Sequence, residues 1–129
     1  MEILEVKPNE GIGRIKLGME RDEVYRILGK SGDLNAEVEW IDDYHIGYEN
    51  GKVVFIEIPN SISRNNFVLF NGVDVFRTEA KLLVKVISEY GHYDNSDGEL
   101  GFSYRFSMLG IGLWRPSIFE YEMIYDSSF

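Results

Sequence analysis

Apolar and polar side chains alternate over residues 1–7, with Leu4 and Val6 on one face and Glu5 and Lys7 on the other. A period of two predicts a strand, and Pro8, Asn9 and Gly11 end it. Ile15 and Leu17 alternate with Arg14 and Lys16, which predicts a second short strand over 14–17. The period then changes. Val24, Ile27 and Leu28 recur at i, i+3 and i+4 and predict a helix over 20–28, with Gly29 at the left-handed stop. Glu20, Asp22 and Glu23 put negative charge in its first turn, where the helix dipole favours it. Glu20 stands where Ser or Thr would cap better. A strand follows at 37–41, with Val38 and Trp40 inward. The clearest local signal is Asn50-Gly51, a type I′ pair between strands at 44–49 and 52–58. Tyr44, Ile46 and Tyr48 are the alternating apolar residues of its first strand, and Val54, Ile56 and Ile58 those of its second.

After Pro59 and a polar linker, the second half repeats the order. Short strands at 67–70 and 73–76 flank Asn71-Gly72. A helix starts at Thr78 as N-cap and runs to Tyr90, with Leu82, Leu83, Val86, Ile87 and Tyr90 as its apolar face and Gly91 as its stop. An acidic loop at 92–101 leads to a strand at 102–108 with Phe102, Tyr104, Phe106 and Met108 on one side. The last hairpin joins 111–114 to 118–125 around Arg115-Pro116-Ser117. Leu28-Gly29 corresponds to Tyr90-Gly91, and Ile46-Gly47 to Ile111-Gly112. The reading is one domain built of pseudo-repeats at about 1–59 and 66–129. Two tandem strand–helix–hairpin units predict an α+β, two-layer fold: one antiparallel sheet with both helices on one face.

Ile15, Leu17, Gly18, Met19, Glu23, Val24, Leu28 and Gly29 fit the pattern I-x-L-G-M-x-x-x-E-V-x-x-x-L-G. That run resembles the strand-to-helix segment of BamE/SmpA-like domains, tandem copies of which occur in proteins similar to the β-lactamase inhibitor protein. The resemblance implies a tandem α+β fold and a structural or assembly role. The second half, NGVDVF before the helix and FSYRFSMLGIGLWRP after it, resembles small bacterial proteins that include immunity proteins of polymorphic or contact-dependent toxins.

Composition narrows the chemistry. There is no cysteine, so disulfides, thiolate metal sites and a cysteine nucleophile are excluded. Thirteen basic residues stand against 22 acidic, a net charge of −9. A phosphate backbone repels such a surface, so a nucleic-acid partner is not expected. No apolar run approaches a membrane span, and the acidic N-terminus does not resemble a signal peptide, so no membrane contact and a soluble, cytoplasmic protein are expected. No Ser-His-Asp set, phosphate loop or dinucleotide fingerprint is present. The loop Asp94-Asn95-Ser96-Asp97-Gly98-Glu99 fails as a calcium loop, because Gly98 and Glu99 fall out of register. His45 and His92 read as strand or surface residues. No catalytic residue, metal ligand or cofactor is assigned.

Charge distribution carries the functional expectation. Residues 31–51 hold Asp33, Glu37, Glu39, Asp42, Asp43 and Glu49 without a Lys or Arg, and 86–104 hold Glu89, Asp94, Asp97 and Glu99, likewise without one. If the repeats lie side by side, the two acidic stretches share one end of the sheet. The expected partner surface is Trp40, Asp42, Asp43, Tyr44, Glu49, Tyr93, Asp94, Asp97, Glu99 and Trp114. Aromatic anchors in an acidic rim suit a basic protein partner, such as a nuclease toxin domain. The expectation is a non-enzymatic inhibitor or immunity protein. A BamE-like assembly module and a small enzyme are the alternatives, and Trp40 and Trp114 as plain core residues is the alternative for the site.

Overall fold

The computed structural model describes residues 2–59, 66–94, 103–114 and 126–128. Strands β1 (Glu2–Lys7), β2 (Gly11–Ile12) and β3 (Ile15–Lys16) precede helix α1 (Arg21–Leu28). Then come β4 (Val38–Ile41), β5 (Tyr44–Glu49) and β6 (Lys52–Pro59). The second half gives β7 (Asn66–Phe70), β8 (Val73–Asp74), α2 (Ala80–Ser88), β9 (Ser103–Phe106), β10 (Ile111–Trp114) and β11 (Asp126–Ser128).

The expected single sheet under two helices is not what forms. Strands take 45% of the described residues and helices 17%. One sheet runs β3-β2-β1-β7-β8 and a second runs β4-β5-β6-β11-β10-β9. The first has two limbs sharing β1: its Glu2–Glu5 part pairs with β7 and its Val6–Lys7 end pairs with β2. Nor is the pairing wholly antiparallel, since β1 and β7 run parallel. Each half therefore contributes to both sheets. The cause is the turn at 8–10, which folds β2 back on the end of β1 and leaves the rest of β1 to pair across the chain. Leu4 and Val6 of β1, Tyr44 and Ile46 of β5, Val68 and Phe70 of β7 and Phe106 of β9 meet in one core with Val24 and Leu28 of α1 and Leu83 and Ile87 of α2. Each such side chain contributes about 1.5–3 kcal/mol on leaving water.

Helix α1 lacks a side-chain cap at Glu20, as its sequence suggests, and Gly29 takes the left-handed stop with φ of 70°. Its start is instead knitted to the tip of the β5–β6 hairpin. Arg21 N–H donates to the Gly51 carbonyl (3.0 Å), Gly18 N–H to Val53 (2.7 Å) and Val53 N–H to Met19 (2.9 Å). The tip has the positive φ pair of a type I′ turn, 54° at Asn50 and 76° at Gly51.

Helix α2 differs from its pattern. It begins one residue later than expected, after Glu79, and Thr78 makes no cap. Ala80, Leu83, Val84 and Ile87 are buried, whereas Leu82 and Tyr90 are exposed. The face is rotated toward Ala80 and Val84. Gly91 is not a left-handed stop; a Cβ there would lie 3.0 Å from Leu109 Cγ, so its smallness admits that side chain. Met108, expected in a strand, is exposed in the turn after β9. Residue 102 and the strand expected at 118–125 lie outside the described residues; among those described, β10 pairs with β9 and β11.

Candidate functional site

Strand β4 enters the six-stranded sheet in the opposite phase to the one its hydropathy suggests. Glu39 and Ile41 face inward, while Val38 and Trp40 are 49% and 51% exposed on the outer face. The hairpin also shifts. A two-residue turn would set His45 opposite Ile56, but the register slips between Gly47 and Tyr48. Tyr48 pairs with Val53 and Gly47 with Phe55, so Val54 is the extra residue of a bulge and stands exposed. The slip keeps Val53, Ile56 and Ile58 inside together and sets His45 opposite Glu57.

The outer face of β4, β5 and β6 thereby carries two cross-strand rows. In the first, Trp40 lies opposite His45 and His45 opposite Glu57. The Trp40 and His45 rings stack at 4.1 Å and 9°, and His45 Nδ1 is 2.9 Å from Glu57 Oε1. In the second, Val38 lies opposite Gly47 and Gly47 opposite Phe55. A Cβ on Gly47 would sit 3.1 Å from Phe55 Cβ, so the glycine leaves a shallow floor beside the ring. Phe55 meets His45 edge-on at 6.1 Å. Trp40 is thus exposed yet held in one orientation by stacking.

Behind this face lies a buried polar node. Glu39 Oε1 accepts from Tyr25 Oη (2.8 Å) and Tyr48 Oη (3.0 Å), and Oε2 accepts from Asp33 N–H (3.1 Å). Arg21 lies 3.8 Å from Glu39 Oε1. It donates to the carbonyls of Asp33 (2.6 Å) and Ala36 (2.5 Å) and covers the Tyr48 ring at 3.9 Å. Residues i and i+4 of α1, Arg21 and Tyr25, thus hold the loop before β4 against the sheet. Three donors thus converge on the Glu39 carboxylate, and the node clamps the loop before β4 to the sheet.

Burial, and then the hydrogen bond and charge of Glu39, raise the Tyr48 phenol above its ordinary value. Burial also raises Tyr25, helped by Glu39 against the opposing Arg21. Burial raises Tyr44, whose oxygen accepts from Arg14 N–H at 3.3 Å. A phenol whose folded pKa is raised keeps its proton when the unfolded chain has lost it. Stability is then full below the unfolded value and falls as pH rises past about 10. Urea unfolding across that range, with tyrosinate absorbance followed alongside, checks this. Three phenols that ionised with the exposed ones while the chain stayed folded would contradict it.

The structure separates the residues expected at the partner surface. Tyr44 is 2% exposed and belongs to the core, with no surface to offer. Asp42 and Asp43 form the β4–β5 turn. Asp42 is ion-paired with Lys30, and Asp43 accepts from Asn66 Nδ2, with burial raising its pKa. Glu49 is exposed, opposite Lys52. Tyr93 is half-buried, edge-on to Tyr104 (5.3 Å) and Phe106 (5.9 Å). Asp94 is exposed and its N–H donates to the Arg105 carbonyl on β9 (2.9 Å). Trp114 is placed on β10, its side chain lying outside what is described, and Asp97 and Glu99 lie outside the described residues. β4 and β9 are the two opposite edges of the six-stranded sheet, and residues 95–102 of the second acidic stretch lie outside the described residues. Of the expected set, among the side chains described, Trp40 alone stands on the outer aromatic face. His45, Phe55 and Glu57 join it there, and only the hairpin register points to them.

No family model matches the chain, and no curated protein or solved structure matches it. Among the described residues, no group of three or more His, Asp or Glu side chains is placed to hold a metal ion. Among them, no helix is long and apolar enough to cross a membrane.

Proposed function

We propose that this chain is a non-enzymatic protein-binding module, an inhibitor or immunity protein for a basic partner such as a toxin domain. The contact surface is the outer face of β4, β5 and β6. The observation that carries the reading is Trp40: half exposed, yet pre-oriented by its stack on His45. A rigid aromatic ring with open area loses little freedom on contact, which is the property of an interface anchor. Exposed Val38 and Val54 extend the apolar area, and exposed Glu37 and Glu49 border it. Those free carboxylates, rather than the internally held Asp42 and Asp43, are the ones that steer a cationic partner.

The test is affinity purification from native cells, identification of the most enriched basic protein, and titration calorimetry of the purified pair. The expected result is a stoichiometric complex that weakens as salt rises. Trp40→Ala lowers its affinity at least about tenfold, mainly through faster dissociation. Glu37→Lys with Glu49→Lys slows association instead. A complex indifferent to all three substitutions places the contact elsewhere and ends this reading of the surface.

A further inference from the structure

The outer face ends at β4, and β4 is an open edge. In an antiparallel ladder, alternate residues turn their N–H and C=O toward the neighbour and the rest turn away. Tyr48 N–H donates to the Glu37 carbonyl at 2.8 Å, which sets the phase. Glu37, Glu39 and Ile41 therefore face β5, opposite Tyr48, Ile46 and Tyr44. The N–H and C=O groups of Val38 and Trp40 point away from the sheet. Among the described residues no further strand pairs with β4, and no hydrogen bond reaches those four groups. The same two residues carry exposed side chains on the outer face. Backbone donors and acceptors, spaced for a strand, thus lie next to an apolar ledge.

Open edges are normally blunted by a lysine, a proline, a bulge or a covering loop. Among the described residues β4 has none of these: its sequence is VEWI, and the bulge sits on β6, away from the edge. Its protection is negative charge. Exposed Glu37 precedes it, and no Lys or Arg occurs in residues 31–51. On a chain of net charge −9, such an edge repels a second copy of itself and favours a cationic strand.

We propose that β4 is a strand-addition site: an extended segment of a basic protein pairs with Val38 and Trp40 as a seventh strand of the sheet. The main-chain bonds supply affinity without regard to sequence, and alternate side chains supply selection. Apolar side chains of the incoming strand lie over Val38 and Trp40, and its Lys or Arg side chains reach toward Glu37. This names the binding mode of the protein-binding reading and rests on it.

The test uses a synthetic peptide of alternating Lys and Val, in two forms N-methylated at alternate residues in opposite phase. Amide chemical shifts and hydrogen exchange of the folded chain are read by NMR. The unmodified peptide should slow exchange at the Val38 and Trp40 amides and leave Glu39 and Ile41 unchanged. One methylated form should bind and the other should not, because only one phase blocks the edge. Val38→Pro removes an outward N–H and no ladder bond, so the sheet should survive it. It should weaken peptide binding about tenfold or more. Val38→Lys, which keeps the N–H, serves where the proline variant is less stable, and should weaken the peptide by charge alone at low salt. Equal binding by both methylated forms overturns strand addition, as does an absence of any shift at millimolar peptide. Neither result touches the calorimetric test of Trp40, so the wider reading can stand when this one falls. Sedimentation of the chain alone provides the rival outcome: a dimer dispersed by Val38→Pro would make the occupant a second copy and overturn the cationic strand.

Discussion

Replacing Glu39 with alanine lowers the unfolding free energy by about 3–5 kcal/mol. The side chains of Glu39 and Arg21 are 7% and 12% exposed, so neither is rehydrated when the other is removed. The loss does not come from the ion pair as such, which at 3.8 Å is long. It comes from what is left behind: two tyrosine hydroxyls and the Asp33 N–H without an acceptor, and a guanidinium facing them without a counter-charge. An unpaired buried polar group costs about 1–3 kcal/mol each, and several are created at once. Glu39→Gln keeps one acceptor oxygen but turns an amide toward a donor, and should cost about 1–2 kcal/mol. Urea denaturation with fluorescence detection measures both. An alanine variant within 1 kcal/mol of the parent, taken as about the size of one ordinary hydrogen bond, would mean that water enters and replaces the carboxylate.

The second large effect is at Gly32. A Cβ at this position would lie 2.1 Å from Glu39 Oε2 and 2.7 Å from its Cδ. Overlap with the free end of a surface side chain would be relieved by rotation. Here the carboxylate is fixed by its donors, so either the loop before β4 lifts or the node opens. Gly32→Ala should cost about 3 kcal/mol, at the upper end for overpacking. The two substitutions share one cause and should not add. In the Glu39→Ala background the obstructing atoms are gone, and Gly32→Ala should become nearly neutral. A double-mutant cycle with a coupling of about 2 kcal/mol or more is the expected result. Simple additivity would show that Gly32 matters for the loop backbone rather than for Glu39.

Local structure was legible where a local rule decides it. Asn50-Gly51 placed a hairpin, Gly29 closed α1, and the alternation at Leu4 and Val6 oriented β1. Three things were not legible. The phase of β4 was misread because Val38 and Trp40 are more apolar than Glu39, while the partners that make a buried Glu39 affordable come from α1 and β5. The bulge at Val54 has no sequence mark. It appears once one asks which register keeps Glu57 out of the core and Ile56 and Ile58 in it. The sheet count was missed because nothing local marks the parallel pairing of β1 with β7, more than sixty positions away. The site suffered accordingly: acidic residues were chosen by sequence clustering, whereas Asp42 and Asp43 spend their charge within the molecule. Arg21 and Tyr25, one helical turn apart, were the available hint that α1 presents a polar edge to the sheet.

The parallel pairing of β1 with β7 also governs the order of events during synthesis. The Glu2 N–H bonds to the Asn66 side chain, 64 positions away at 3.1 Å. The β5–β6 hairpin can form within about 1–10 μs of its residues being free. β1 cannot complete its sheet on that timescale, because its neighbour does not yet exist. At about 5–20 residues per second, the ribosome takes several seconds to extend the chain from β1 to β7. For that interval the Glu2–Glu5 part of β1 lacks its partner strand, and Glu2 and Glu5 put negative charge on the open backbone that Ile3 and Leu4 share.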